Sequence, residues 1–417
     1  MASWDFLLKQ AILTIKNGTF FEHVLQCLKK MNGFGVKKRI IGFLATKYWN
    51  HIDDKKIVFC NFFGNGYGCN PKYIAEELLS RGIKCKLVWL VKSSKEKKSL
   101  PPNIKVVKYL SLASFRELAT AKVWINNQSF SDYIDKGLHK KDEQVYIQTY
   151  HGSLGIKRVG KIRNDAHNMT FNTSKINASM IDFLISNSNF ESDVVYKPYF
   201  YGMGEICQFG HPRNDIFFDS DIDAKRAMLK QNLGIDSNAK VVLYVPTYRK
   251  LEDLDCYKLD FERITKAFEK RFGSNWIFLV RLHPVMAKGL RKKLLGNHNV
   301  MDVTMYSDIQ ELLILADCAI TDYSSAIFDY ILGNGFGFIF AKDYEFYNTD
   351  WGLYFPLSAT PFPVAINNDE LEQNILNFDT DTYRKKVRSF LEDKGCIEDG
   401  KASSRVADLI EKTLTLN

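Results

Sequence analysis

The chain has 417 residues, enough for two domains and a core of enzyme size. Hydrophobic residues make up 46% and charged residues 25%, which excludes a disordered chain, and the eight cysteines form no C-x-x-C pair, which argues against a disulfide frame or zinc site and for buried reduced thiols. The net charge of +9 admits nucleic acid, anionic lipid or phosphorylated substrates, and its distribution has to decide between them.

Residues 1–50 stand apart. Phe6, Leu7, Ala11, Ile12 and Ile15, then Phe20, Phe21, Val24, Leu25 and Leu28, recur at helical spacing, and eight Lys or Arg face only Asp5 and Glu22. Such a basic amphipathic segment suits an anionic membrane face, or it caps the first domain with a solvated basic side; the two readings are compatible. Met1–Phe6 lacks the basic start of a signal peptide. No apolar run approaches the ~20 residues of a spanning helix. The expectation is a cytoplasmic chain, soluble or peripheral.

From residue 57 the pattern alternates. Ile57–Phe63 reads as a strand, Gly64-Asn65-Gly66-Tyr67-Gly68 as a loop, Pro71–Arg81 as a helix and Lys86–Val91 as the next strand. The loop lacks the spacing of the dinucleotide fingerprint, and no acidic residue follows the second strand, so a dinucleotide site is not expected. Strands follow at 104–109, 122–126, 145–149 and 182–186, with helices at 111–120 and 190–196. Strand 145–149 runs into Tyr150-His151-Gly152-Ser153-Leu154-Gly155-Ile156-Lys157, with Arg158, Lys161 and Arg163 beyond. Gly210-His211-Pro212-Arg213-Asn214-Asp215 is turn-rich and reads as a hinge or part of a site.

A second series then begins. Strand 240–245 leads into Pro246-Thr247-Tyr248-Arg249, and helix 261–271 into strand 276–282, which ends Arg281-Leu282-His283-Pro284. Strand 300–303 and helix 308–316 precede Cys318-Ala319-Ile320-Thr321-Asp322-Tyr323-Ser324-Ser325, where a strand hands over to a helix. Strand 336–341 follows, and 369–412 reads as helical. Two such series predict two doubly wound Rossmann-type domains facing across a cleft: residues 51–205 on the acceptor side and 206–417 on the donor side, behind the helical segment 1–50.

Three strand ends of the second series, at Arg249, His283 and Asp322-Ser324-Ser325, fall on one sheet edge. Ser324 alone is most simply a helix cap. Together with the amides of a helix start, the set reads as a phosphate seat. His151 faces it from the first domain, and histidine is suited to take a proton from a hydroxyl near neutral pH. Asp221-Ile222-Asp223 and Asp253-Leu254-Asp255 match a metal-binding D-x-D pattern but have no companion histidine and read as solvated, so no metal is expected. The basic excess lies in the amphipathic segment and the cleft rather than in a nucleic-acid module, so no nucleic acid is expected.

Tyr150-His151-Gly152-Ser153, Gly210-His211-Pro212-Arg213-Asn214-Asp215, Pro246-Thr247-Tyr248-Arg249, His283-Pro284 and Thr321-Asp322-Tyr323-Ser324-Ser325, in this order, resemble the CDP-glycerol glycerophosphotransferase family of teichoic-acid and capsule synthesis. Cys69-Asn70-Pro71-Lys72 is similar too. The resemblance covers about 57–395. It implies a GT-B-like α/β fold and metal-independent transfer of an alditol phosphate, glycerol phosphate first, from a CDP-alditol to a hydroxyl of a lipid-linked or growing polymer, with release of CMP. By the same resemblance His151 is the general base, His283 a donor-phosphate ligand in the catalytic pair, and Arg249, Asp322, Ser324, Ser325 and Arg213 bind the donor. Gly66, Ser153 and Lys157 line the acceptor side. The family's setting implies the cytoplasmic face of the bacterial plasma membrane. Two other readings stand beside it: a GT-B glycosyltransferase using a nucleotide sugar, and a non-catalytic nucleotide-binding scaffold at the membrane.

Overall fold

The structure, a computed structural model, describes residues 42, 44–159, 168–249, 255–283, 300–333 and 335–415. Most of the amphipathic segment, together with Lys161, Arg163, Asp253, Leu254 and Pro284, lies outside the described residues.

Two parallel sheets form the frame. The first joins β1 (Asp53–Cys60), β2 (Lys86–Val91), β3 (Lys105–Lys108), β4 (Ala121–Asn126), β5 (Val145–Gln148), β6 (Phe183–Ser186) and β7 (Glu205–Gln208) in the order β3-β2-β1-β4-β5-β6-β7. The second joins β8 (Lys240–Val245), β9 (Trp276–Val280), β10 (Val300–Asp302), β11 (Cys318–Thr321), β12 (Phe336–Phe340) and β13 (Val364–Ala365) in the order β10-β9-β8-β11-β12-β13. Helices cover both faces of a parallel sheet, so its inner strands read as unbroken apolar runs. All of β4 and β11 is buried accordingly. In both sheets the strand order reverses beside the first strand, between β1 and β4 and between β8 and β11. Ligands of doubly wound sheets bind in the crevice beyond such reversals.

The structure differs from the sequence expectation in three places that matter. The first strand stops at Cys60, not Phe63: Phe62 and Phe63 take φ of 41° and 57°. Asn61 makes the turn, its carbonyl accepting from Gly64 N at 2.8 Å and its side chain donating to Asn65 O at 2.8 Å. The first domain runs on through β7, an edge strand too short and half-exposed to give a clear apolar pattern. The chain's end also returns to the first domain. Helix Ala402–Thr415 buries Val406, Ala407 and Ile410 in the cluster that holds Ile57, Trp89 and Ile125. Arg81 ties it down through Asp408 at 2.6 Å and Ser404 Oγ at 2.7 Å. The second domain therefore does not extend to residue 417.

Candidate active site

His151 sits three residues past β5. Thr149 N still donates to Asn126 O at 2.9 Å, continuing the ladder, and Tyr150 then takes φ 51° and turns the chain. Asn70 holds this turn from the next element, its amide donating to the carbonyls of Thr149 (2.9 Å) and Tyr150 (3.1 Å). The imidazole Nδ1 lies 2.9 Å from Asn127 O. A carbonyl only accepts, so Nδ1 carries the proton and Nε2 keeps its lone pair. Burial lowers the His151 pKa to about 4; the Asn127 carbonyl opposes this, and the cations Arg213 and Lys157 add to it. The ring is neutral at pH 7, in the tautomer a base needs.

Beyond His151 the chain leaves the first domain. Leu154 and Ile156 are fully buried in the core of the second. Ile156 O accepts from Tyr354 N at 2.7 Å, Arg158 N donates to Gly352 O at 3.1 Å, and Lys157 forms a bridge with Leu353. Gly155 lies so close to Ser325 that a Cβ would come within 2.9 Å of the serine Cβ. The first-domain base and the second-domain serines are thus separated by one short segment. Lys157 lies over the Trp351 ring at 5.8 Å, and its charge lowers the pKa of both His151 and His283. It is the cation that both histidines feel.

On the second domain, Ser324 and Ser325 are half-buried at the turn after β11. Ser324 Oγ accepts from Ala326 N at a long 3.4 Å, and Ser325 occupies the cap position without a capping bond from its side chain. Capping therefore consumes little of either hydroxyl. The helix they open is short, Ala326–Tyr330. His283 stands beyond β9 with its ring 5.0 Å from that of Tyr248; partial desolvation of the ring first, and Lys157 second, push its pKa down.

Four other expected site residues are placed elsewhere. Arg249 is 6% exposed and locked: Nε donates to Asp343 (2.8 Å), one terminal nitrogen to Asp322 (2.8 Å) and the other to Thr247 O (2.7 Å). Its guanidinium stacks on Tyr347 at 4.6 Å and Tyr323 at 5.0 Å. Asp322 is equally committed, accepting from the Thr247 and Tyr323 amides as well as from Arg249. Arg213, 2% exposed, forks onto Asp329 and reaches Gly152 O at 2.5 Å. Ser153 is buried against Asn187, whose amide donates to its hydroxyl at 2.9 Å. Two carboxylates cancel the charge of Arg249 and one that of Arg213. These three charged side chains are engaged by partners within the protein, and Ser153 is engaged by Asn187. Gly66 keeps its place at the mouth of the first crevice, with φ 73°, its N–H donating to Glu96 and its backbone beside Ser307 of the second domain.

The domain junction gathers polar residues from both domains, among them His211 of the segment expected to be a hinge or part of a site. His211 is fully buried, Nε2 on Glu191 (3.0 Å) and Nδ1 beside the Asn70 amide (3.4 Å). Glu398 accepts from His211 N, Asn187 and Asn214, and burial lifts its pKa to about 7. Lys72 crosses to Asp308 (2.9 Å) and Glu311 (2.6 Å). Asn70 and Lys72 lay in a segment the resemblance already marked. Glu398 and Gln128, whose amide touches His151, had no local signal. Of the two D-x-D segments, Asp221 pairs with Lys225, and Asp255 with Lys258 and Lys342. Among the described residues no three His, Cys, Asp or Glu side chains gather where they could hold a metal.

Two parallel sheets of Rossmann order, a closing helix that returns to the first domain and a site between facing strand ends define a GT-B architecture. The chain belongs to the family described as CDP-glycerol:poly(glycerophosphate) glycerophosphotransferase, whose model matches residues 43–412. It is 29% identical over 394 residues to the teichoic acid poly(glycerol phosphate) polymerase of Staphylococcus epidermidis, covering 91% of this chain and 53% of that protein. It is 27% identical over 393 residues to the teichoic acid glycerol-phosphate transferase of Staphylococcus aureus, covering 90% and 99%. The chain thus spans about half the length of the first relative and nearly all of the second. A structure of the wall teichoic acid polymerase TagF, a variant soaked with CDPG, superposes with a TM-score of 0.78 at 28% identity, over 99% of this chain and 98% of that one.

Proposed function

We propose that the chain transfers glycerol phosphate from CDP-glycerol to a hydroxyl of a growing or lipid-linked teichoic-acid-like or capsular polymer, with release of CMP. The observation that carries the reading is His151: neutral, protonated on Nδ1, and one short segment away from the serines that open the second domain's phosphate seat. The acceptor hydroxyl gives its proton to Nε2 while its oxygen attacks the distal phosphorus, and the bond to CMP breaks with its electron pair on the leaving phosphate. Ser324, Ser325 and His283 hold the diphosphate. Lys157, whose charge bears on both histidines, adds positive charge beside the leaving group. The reaction is proposed to run without a metal, as the family resemblance implies.

The polymer acceptor fits the activities for which the relatives are named. A place at the cytoplasmic face of the bacterial plasma membrane, with residues 1–50 on anionic lipid, fits their basic amphipathic pattern; no helix among the described residues is long and apolar enough to cross a membrane. The test is a panel of CDP-glycerol, CDP-ribitol and nucleotide sugars against glycerol-phosphate oligomers, with product mass. Glycerol-phosphate additions and CMP from the wild type, lost in His151→Ala with CDP-glycerol still bound, are expected. Transfer of a sugar, or wild-type turnover in His151→Ala, would overturn the reading.

A further inference from the structure

The base has one lone pair, and one side chain already lies on it. The Gln128 amide Nε2 is 3.3 Å from Nε2 of His151. Because Nδ1 holds the ring proton against Asn127 O, the Gln128 N–H donates to the nitrogen that must accept the substrate's proton. The distance is at the long end for such a bond, so the contact is weak and easily exchanged for another.

The backbone of Gln128 is pinned on both sides. Its N–H donates to Asn126 Oδ1 at 2.7 Å, and its carbonyl accepts from Gln148 Nε2 at 2.8 Å. These partners close β4 and β5, so the residue stands on two strand ends while its half-buried side chain reaches the ring. The charged groups that bear on His151 are Arg213, Lys157 and His211, all cationic or potentially so. Gln128 is the neutral polar group at the catalytic nitrogen.

We propose that Gln128 positions the acceptor: its amide marks the point at Nε2 that the acceptor hydroxyl takes, and it donates an N–H to that hydroxyl oxygen once the acceptor is bound. This rests on the reading of His151 as the base. An alcohol oxygen has two lone pairs and one proton. The proton goes to His151 Nε2, one pair forms the new O–P bond, and the Gln128 N–H occupies the other, which fixes the direction of attack. The P–O bond to CMP breaks and its electron pair leaves with CMP. A neutral donor suits this role. It does not neutralise the phosphate, and it cannot take the proton itself.

The experiment uses the full chain with CDP-glycerol and a glycerol-phosphate oligomer, comparing wild type, Gln128→Ala and Gln128→Glu. Gln128→Ala is expected to lower kcat/KM for the oligomer by about 10²-fold, with KM for CDP-glycerol and Tm unchanged. Gln128→Glu, nearly isosteric, places a carboxylate beside the ring and is expected to move the acid limb of kcat/KM upward by more than one pH unit. Acceptor kinetics of Gln128→Ala within twofold of wild type would overturn the role. So would equal losses toward donor and acceptor, or an unmoved acid limb in a folded Gln128→Glu. A wild type that transfers nothing from CDP-glycerol would remove the proposed activity and this role with it, which is a different result from an active wild type and an unaffected variant.

Discussion

The two crevices of this molecule have the same strand topology and opposite chemistry. In the first, β1 and β4 are braced by neutral amides: Asn127 donates to Asn61 Oδ1 at 2.7 Å and accepts from Phe62 N at 2.9 Å. In the second, β8 and β11 are braced by ions, with Asp322 joining the Thr247 amide at 2.8 Å to Arg249. The neutral brace holds the peptide whose carbonyl selects the His151 tautomer, without adding charge beside the base. The ionic brace spends its charge internally. The arginine that the motif advertises is held there by two carboxylates.

Substitutions on each side should separate the two. The largest effect belongs to the base: His151→Ala is expected to lower transfer by about 10²–10⁴-fold while CDP-glycerol binding, read by calorimetry, persists. Breaking the ionic brace acts on stability instead. Arg249→Met strands Asp322 and Asp343 in a buried site and should cost about 3–5 kcal/mol in urea unfolding. If Arg249 were a phosphate ligand with little structural weight, donor affinity would fall and stability would hold. The neutral brace should matter less: Asn127→Ala leaves Asn61 Oδ1 and Phe62 N unpaired, at about 1–3 kcal/mol.

The smallest effects follow pH, with opposite signs. The unfolded chain protonates His151 near 6.5, whereas the folded chain resists until about 4. Stability from this group is present above 6.5 and declines as pH falls through that window. Glu398 behaves in reverse. Its folded pKa of about 7 against an ordinary 4.5 means its contribution is present below 4.5 and lost as pH rises through 7. Denaturation midpoints against pH should flatten at the acid end in His151→Gln and at the neutral end in Glu398→Gln.

Both sheets were legible because parallel strands buried on two faces give unbroken apolar runs, as at Cys318-Ala319-Ile320. The strand-end motifs were legible too, since turns follow buried strands. Orientation was not. Whether Arg249 faces a ligand or a partner depends on Asp343, and for Arg213 on Asp329, each about a hundred residues away. A motif shows that a side chain stands at a strand end, not which carboxylate already holds it. Glu398 escaped for the same reason, its partners His211 and Asn187 being near in space and far along the chain, while Gln128 stands in a loop after β4 with no local signal that it touches His151. The return of helix Ala402–Thr415 to the first domain was likewise hidden, because its apolar stripe fits either core.

The passage of residues 154–158 into the second core sets where this chain can be cut and rejoined. A chimera that exchanged acceptor domains at the hinge near residue 210 would bring in a foreign Leu154 and Ile156 to fill a native cavity. An exchange that respects packing takes β1–β7 and the closing helix together, because both build the first core, and leaves residues 154–158 native, so that no void opens beneath Ser325.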